Sequence, residues 1–360
     1  MESMNQEPLR IAVSGLHRGD NPQPGASIIR SIRRSYPNAF IVGLVYDALE
    51  SGIYVEGGPD VVYTMPYPSA GADLYLQRLE EIHALSPFDY FLPTLDAEIE
   101  LLVYVEDRLT KNGWKTFLPE MESLHRRAKN HLESLVKACE LKVPLTEAVY
   151  DTATAVQAAR EFGYPVMVKG QYYDAKKVFN DHELIAAMNK LLAEWGAPAI
   201  IQECISGGEF NAMGIGDGLG GIIGLCCIRK TIISEKGKGS GAITIHDSAL
   251  QAMCEKLIAA LKWRGPFEVE VMLDEADQKY SLIEINPRFP AWVDFPAQFG
   301  VNFASALIRI MIDDNISIKL PPCPAGHFYV RHQIEVLGHI NQLAELATSA
   351  DFSSNKKQLI

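Results

Sequence analysis

Cysteine is sparse in this chain, six in 360 residues, and no two are spaced as a CxxC pair. Scattered thiols of this kind read as small buried hydrophobes, which fits a reducing cytoplasm better than a disulfide framework. Long apolar runs are missing as well. The longest, Gly221 to Ile228, is far shorter than the ~20 residues a spanning helix needs, so no membrane partner is expected. No positive-then-apolar segment precedes Leu9, so no secretory signal is expected either. Positive charge is the minority, 33 Lys and Arg against 45 Asp and Glu, for a net charge of −12. Such a balance excludes general nucleic-acid binding, which depends on neutralising a phosphate backbone. No internal repeat is visible. The first strand runs into SGLHRGDNPQPG, without the GxGxxG turn that lets a backbone approach a pyrophosphate, which argues against a nicotinamide dehydrogenase.

What remains is a chain that is 48% hydrophobic, enough for two or three domains with their own cores. Strands are expected at Leu9 to Ser14, Ala39 to Tyr46, Asp60 to Met65, Asp89 to Thr94 and, briefly, Lys115 to Leu118. Helices are expected at Ala26 to Tyr36, Ala72 to Leu85 and Glu98 to Asn112. Apolar strands alternating with helices predict a parallel sheet covered on both faces. One amphipathic helix, Leu124 to Cys139, should carry Lys129, and a hinge follows at Val143 and Pro144. Next come strands near Glu147 to Tyr150, Pro165 to Lys169 and Ala199 to Glu203, with helices at Thr154 to Phe162 and Asp181 to Glu194. Asp181 suits the N-cap of the second helix. Further strands are expected at Phe210 to Gly216, Gly221 to Thr231, Phe267 to Leu273, Tyr280 to Glu284 and His327 to His332. Helices should cover Ser248 to Leu261 and Asn302 to Asp313, and the glycine-rich Ser234 to Gly241 should be a loop. The expected domains are 1–120, a linking helix and hinge 121–144, a small unit 145–205, and a larger unit 206–360.

The segment YSLIEINPRF, Tyr280 to Phe289, carries the most chemistry. Period-two alternation puts Glu284, Asn286 and Arg288 on one side of a strand that Pro287 and Pro290 then terminate. Two oxygen donors suit magnesium, and a guanidinium fork suits phosphate or carboxylate. Glu270, on the preceding strand, can face Glu284 across an antiparallel ladder, and Glu268 has the same facing and is an alternative ligand. Lys169 ends the strand PVMVK, and Arg229 and Lys230 end a long strand. Positive charge at these places is what a triphosphate opposite a metal requires.

On these residues the chain resembles the ATP-grasp superfamily. That resemblance implies an α/β and α+β architecture: an N-terminal Rossmann-like parallel-sheet domain, a small lid domain and a larger catalytic domain. It implies ATP as nucleotide and Mg2+ or Mn2+ as metal. Glu270, Glu284 and Asn286 match the metal ligands. Lys129 and Lys169 match the two phosphate lysines. Gln202, Glu203, Cys204 and Ile205 match the adenine-binding hinge, with Glu209 on the ribose. Lys230 is a further nucleotide contact, and Arg288, Lys169 and Arg229 are the expected catalytic cations. FLPTLDAE, Phe91 to Glu98, resembles the part of the first domain that lines the substrate pocket. The implied reaction joins a small-molecule carboxylate to an amine through an acyl phosphate in a cytoplasmic enzyme, with a homodimer as the expected assembly. The alternatives are bicarbonate activation like that of carbamoyl-phosphate synthase or biotin carboxylase, and an ATP-binding protein with weak catalysis. One departure stands out. Where the superfamily has a glycine-rich phosphate loop, this chain reads GQYYDAKKVF, and Lys176, Lys177 or the 234–241 segment is expected to cover the phosphates instead.

Overall fold

A computed structural model describes residues 8–17, 22–128, 131–170, 175–233, 239–313, 316–348 and 351–353. The chain divides into two compact units. The first is Met1–Leu135 with Asn211–Val269 and Ile285–Ile360; the second is Val136–Phe210 with Glu270–Glu284.

In the first unit a five-stranded sheet has the spatial order Asp351–Ser353, Val61–Thr64, Phe40–Val45, Arg10–Ser14, Tyr90–Leu92. The inner pairings are parallel, as the alternation of strand and helix predicts, and the edge strand Asp351–Ser353 is antiparallel. Strand order reverses at Arg10–Ser14, which opens a crevice at the carboxyl ends of the strands, the usual ligand position in such sheets. The helix Gly25–Ser35 buries Ile28, Ile29 and Ile32 and packs on the helix Phe303–Ile312. Ser31 Oγ bonds Asn302 Oδ1 at 2.8 Å, and Arg34 forms a two-pronged pair with Asp294 at 2.8 and 3.0 Å. A planar fork against a carboxylate fixes the angle of approach as well as the distance.

A six-stranded sheet has the order Tyr280–Asn286, Arg264–Asp274, Gly207–Asp217, Ile222–Ile233, Gly239–Ile245, Phe328–Val330. The helix Ser248–Leu261 starts where Asp247 accepts a hydrogen bond from Leu250 N at 2.9 Å. In the second unit the four-stranded sheet Thr146–Val149, Ala199–Glu203, Val166–Lys169, Ala175–Val178 is antiparallel throughout. Its apolar core includes Ala155 and Ala159 from the helix Thr152–Phe162 and Leu184, Met188 and Leu191 from Asp181–Trp195.

Several local expectations need correction. The helix expected over Leu124 to Cys139 is two, Met121–Arg126 and Leu132–Ala138. Between them, Ala128 N bonds His125 O and His131 N bonds Ala128 O, tight turns that interrupt the α-helical ladder. The Glu98 to Asn112 helix likewise breaks at Val105, which leaves helical backbone geometry. Lys115 contributes one bridge to Tyr90 instead of a strand. The N-cap of Asp181–Trp195 is Asn180, whose side chain accepts from Glu183 N, while Asp181 pairs with Arg160. Part of the expected phosphate loop is a strand: Lys176 and Lys177 lie on Ala175–Val178, paired with Val168 and Met167. Glycines 239 and 241 lie on a strand too, and residues 234–238 fall outside the described residues.

Candidate functional site

At the carboxyl end of the parallel sheet, Ser14, Tyr46 and Thr94 each leave a strand and turn toward Glu98, which is fully buried. Glu98 accepts from Ser14 Oγ at 2.6 Å, from the hydroxyls of Tyr46 and Tyr75, and from the backbone N–H groups of Thr94 and Leu95. The bond back to Leu95 N makes Glu98 the N3 partner of a helix start, so it fixes the first turn of Asp96–Tyr104 and with it the position of Asp96. Glu50, also buried, accepts from Leu16 N and Tyr46 N at 2.7 Å. Burial pushes the carboxyl of Glu98 up from its ordinary range and that of Glu50 up to about 7, against the opposing pull of their hydrogen bonds.

Asp96 meets two arginines. Arg288 Nε donates to Asp96 Oδ1 at 2.9 Å, and Arg127 Nη2 stands 3.6 Å from Asp96 Oδ2. Arg127 is anchored by Nη1 on Ile285 O at 3.0 Å. Beside them lies the buried carboxylate of Glu268, which accepts from Asn211 Nδ2 at 2.6 Å, Trp292 Nε1 at 3.1 Å and Asn286 Nδ2 at 3.2 Å. Arg288 Nη1 is 3.9 Å from the same group. Glu268, the alternative ligand expected from the sequence, thus accepts from the nitrogen end of Asn286.

In the second unit, Lys169 Nζ donates to Gln202 Oε1 at 2.6 Å, and Gln202 Nε2 passes the chain on to Thr146 Oγ1 at 2.9 Å. The antiparallel register, Met167 opposite Gln202, brings these side chains together. Glu203 grips the residue ahead of the strand Thr146–Val149, with its backbone N on Leu145 O and its carboxylate on Leu145 N. Cys204 is half-buried and Ile205 buried. Gly207 follows where a Cβ would stand 1.8 Å from Leu273 O, so only glycine allows the hinge to approach so closely. Glu209 is half-buried on Gly207–Asp217. Glu270 and Glu284 are half-buried on neighbouring strands.

Arg229 and Lys230 do not end their strand, which continues to Ile233; they pair with Ile243 and Ala242. Lys129 lies outside the described residues. Among the described residues no three His, Cys, Asp or Glu side chains are gathered as a metal site, and no helix is long and apolar enough to cross a membrane. Arg127 is the residue that sequence reasoning missed. It sits in the run HRRAK, which reads as a solvated helix face, at the end of the helix Met121–Arg126.

Residues 129–291 match the family described as the ATP-grasp domain. A carbamoyl phosphate synthase large chain of Thermotoga petrophila is 29% identical over 252 residues, covering 64% of this chain and 22% of that protein. The chain therefore spans less than a quarter of that relative. An L-amino acid ligase from Bacillus licheniformis shares the fold at a TM-score of 0.62 and 16% identity, over 86% of this chain and 74% of that one. Biotin carboxylase from Campylobacter jejuni does so at 0.65 and 16%, over 87% and 74%. The mixed α/β architecture with separate sheets is the one these proteins share. The likeness to the ATP-grasp domain covers residues 129–291, somewhat under half of the chain.

Proposed function

We propose that the chain is an ATP-dependent carboxylate–amine ligase. A substrate carboxylate oxygen attacks the γ-phosphorus of ATP, the bond to the β-phosphate oxygen breaks, and ADP leaves. The amine nitrogen then attacks the acyl-phosphate carbonyl, phosphate departs with the bonding pair, and an amide remains. The observation that carries this reading is the Glu268 cluster, a buried carboxylate that orients Asn286 beside Arg288 at the end of the EINPR strand.

The donor chemistry of Glu270, Glu284 and the Asn286 amide oxygen, two carboxylates and an amide, fits a hard divalent cation such as Mg2+ or Mn2+. When bound, that ion would neutralise phosphate charge and polarise the γ-phosphate. The chain's own residues supply the rest. Lys169, oriented by Gln202, places a cation for the phosphates, and Lys129, Arg229 and Lys230 add to it. The 202–205 hinge takes adenine and Glu209 takes ribose hydroxyls. Arg288 holds the substrate carboxylate or the transferred phosphoryl group against in-line attack. In this reading residues 145–205 are the lid and 206–360 the catalytic domain; lid closure would exclude water from a hydrolysable acyl phosphate. A homodimer is the proposed assembly and the cytoplasm the proposed location.

The test is ADP release across a panel of amino acids and small carboxylates, with mass analysis of any stimulated mixture. A new amide mass supports the ligase. The likeness to carbamoyl phosphate synthase favours a second reading, in which bicarbonate takes the place of the carboxylate; stimulation by bicarbonate alone would select it. Glu284→Ala and Asn286→Ala are each expected to abolish turnover while the fold survives, and normal turnover in both removes the metal assignment.

A further inference from the structure

Arg127 is under-used for a guanidinium so far from water. Its side chain is only 19% exposed, yet among the described residues it makes a single hydrogen bond, to Ile285 O. Its Nε is buried and, among the described residues, has no hydrogen-bond partner. Asp96 stands 3.6 Å from Arg127 Nη2 and accepts its good hydrogen bond from Arg288. Leaving a buried donor unpaired costs about 1–3 kcal/mol, so a structure that retains one invites an acceptor. The chain's own anion at this place is exposed on 42% of its side chain, whereas the two arginines around it are 19% and 25% exposed. A half-exposed carboxylate thus bridges two less exposed guanidiniums.

We propose that Arg127 and Arg288 form a two-arginine receptor for a carboxylate of the substrate, and that Asp96 fills this receptor until the substrate arrives. The inference rests on the ligase reading and assigns Arg127 as its specificity-determining residue. An incoming carboxylate would accept a fork from Arg127 Nε and Nη2, the geometry guanidinium offers to planar oxyanions. Asp96 would turn out toward solvent, where it already stands half-exposed. Arg127 is held for this role by Ile285 O and by the end of its helix, and Asp96 by the Glu98-capped turn. The proposal commits to a carboxylate because the group now at this place, on Asp96, is itself a carboxylate. Charge count agrees with exchange rather than addition: Arg127 and Arg288 face Asp96 and Glu268, so the cluster is neutral only while one mobile carboxylate is present.

The proposal separates the two residues by sign. Calorimetric titration with succinate, in the absence of nucleotide and metal, should give a dissociation constant at least tenfold weaker in Arg127→Gln than in the natural chain. Asp96→Asn, which removes the competing charge, should tighten it severalfold. Arg127→Lys, which keeps the charge and loses the fork, should fall near Arg127→Gln and guards against a variant that merely misfolds; thermal unfolding of each variant is followed alongside. Equal affinities in all four proteins, weaker binding in Asp96→Asn, or inorganic phosphate binding more tightly than succinate would each overturn the carboxylate receptor. Absence of succinate binding even in Asp96→Asn would do the same. Because no ATP is present, succinate binding without ADP formation in the panel would sink the ligase reading alone. ADP formation unaffected by Arg127→Gln would sink only the receptor.

Discussion

Asn286 could rotate its amide freely on an exposed strand, but here its nitrogen is committed to Glu268, which also holds Asn211 and Trp292. Residues that orient a ligand through a hydrogen bond commonly change metal affinity by about 10–100-fold when replaced. Glu268→Gln is therefore expected to raise the concentration of Mg2+ giving half-maximal ATP turnover by at least tenfold, read from a metal titration of ADP release. Glu268→Ala strips three N–H donors of their acceptor inside the core, and should in addition lower stability by roughly 2–4 kcal/mol in denaturant unfolding. A change in stability with unchanged metal dependence would leave Glu268 as a packing residue only.

Elements in this chain begin and end where single side chains intervene. Asp247 caps Ser248–Leu261 through Leu250 N, and Asp247→Ala should cost ~1 kcal/mol in the same unfolding measurement. Gly207 is a stricter case. An added methyl would overlap Leu273 O, a backbone atom that cannot swing away, so Gly207→Ala must displace the hinge or the strand. We expect a loss of about 1–3 kcal/mol, and a rise in KM for ATP if the hinge carries adenine. An unchanged Gly207→Ala protein would mean that the hinge relaxes without consequence. Arg127 belongs at this scale too: it closes the helix Met121–Arg126 and from there reaches Ile285 O.

For the molecule as a whole, the carboxyl end of the parallel sheet sets a pH dependence. Glu50 is 3% exposed, and its pKa is raised from an ordinary 4.5 to about 7 by burial. A folded-state pKa above the unfolded value means that the folded chain binds the proton more tightly. That contribution to stability is fully present below about pH 4.5 and is lost as pH rises through about 7. Its size is on the order of 3 kcal/mol, and Glu98, raised by the same cause, acts in the same direction. Asp274 and Asp277, held low by Lys142, act oppositely: their stabilisation is lost as pH falls through the acid range. The melting temperature should therefore decline from about pH 5 to pH 8, and Glu50→Gln should flatten that decline. A slope unchanged in Glu50→Gln would remove Glu50 as its source.

By itself the sequence determined the layout of alternating strands and helices, the apolar inner strands of a parallel sheet, and the EINPR strand with its neighbouring acidic strand. The helices Ala72–Leu85 and Ser248–Leu261 and the strand Ala199–Glu203 have the bounds expected from periodicity. These features are legible because they depend on residues close in the chain, through side-chain period and turn chemistry. Tertiary structure alone decided the rest. The edge strand Asp351–Ser353 lies in a segment that reads as a polar tail, and it forms because Val61–Thr64 offers an open edge. Glu268 and Arg127 owe their roles to Asn211, Asn286, Trp292, Ile285 and Asp96, most of them far away in sequence. The physical reason is that a buried charge takes its meaning from the groups folding brings against it, and no local pattern encodes that company.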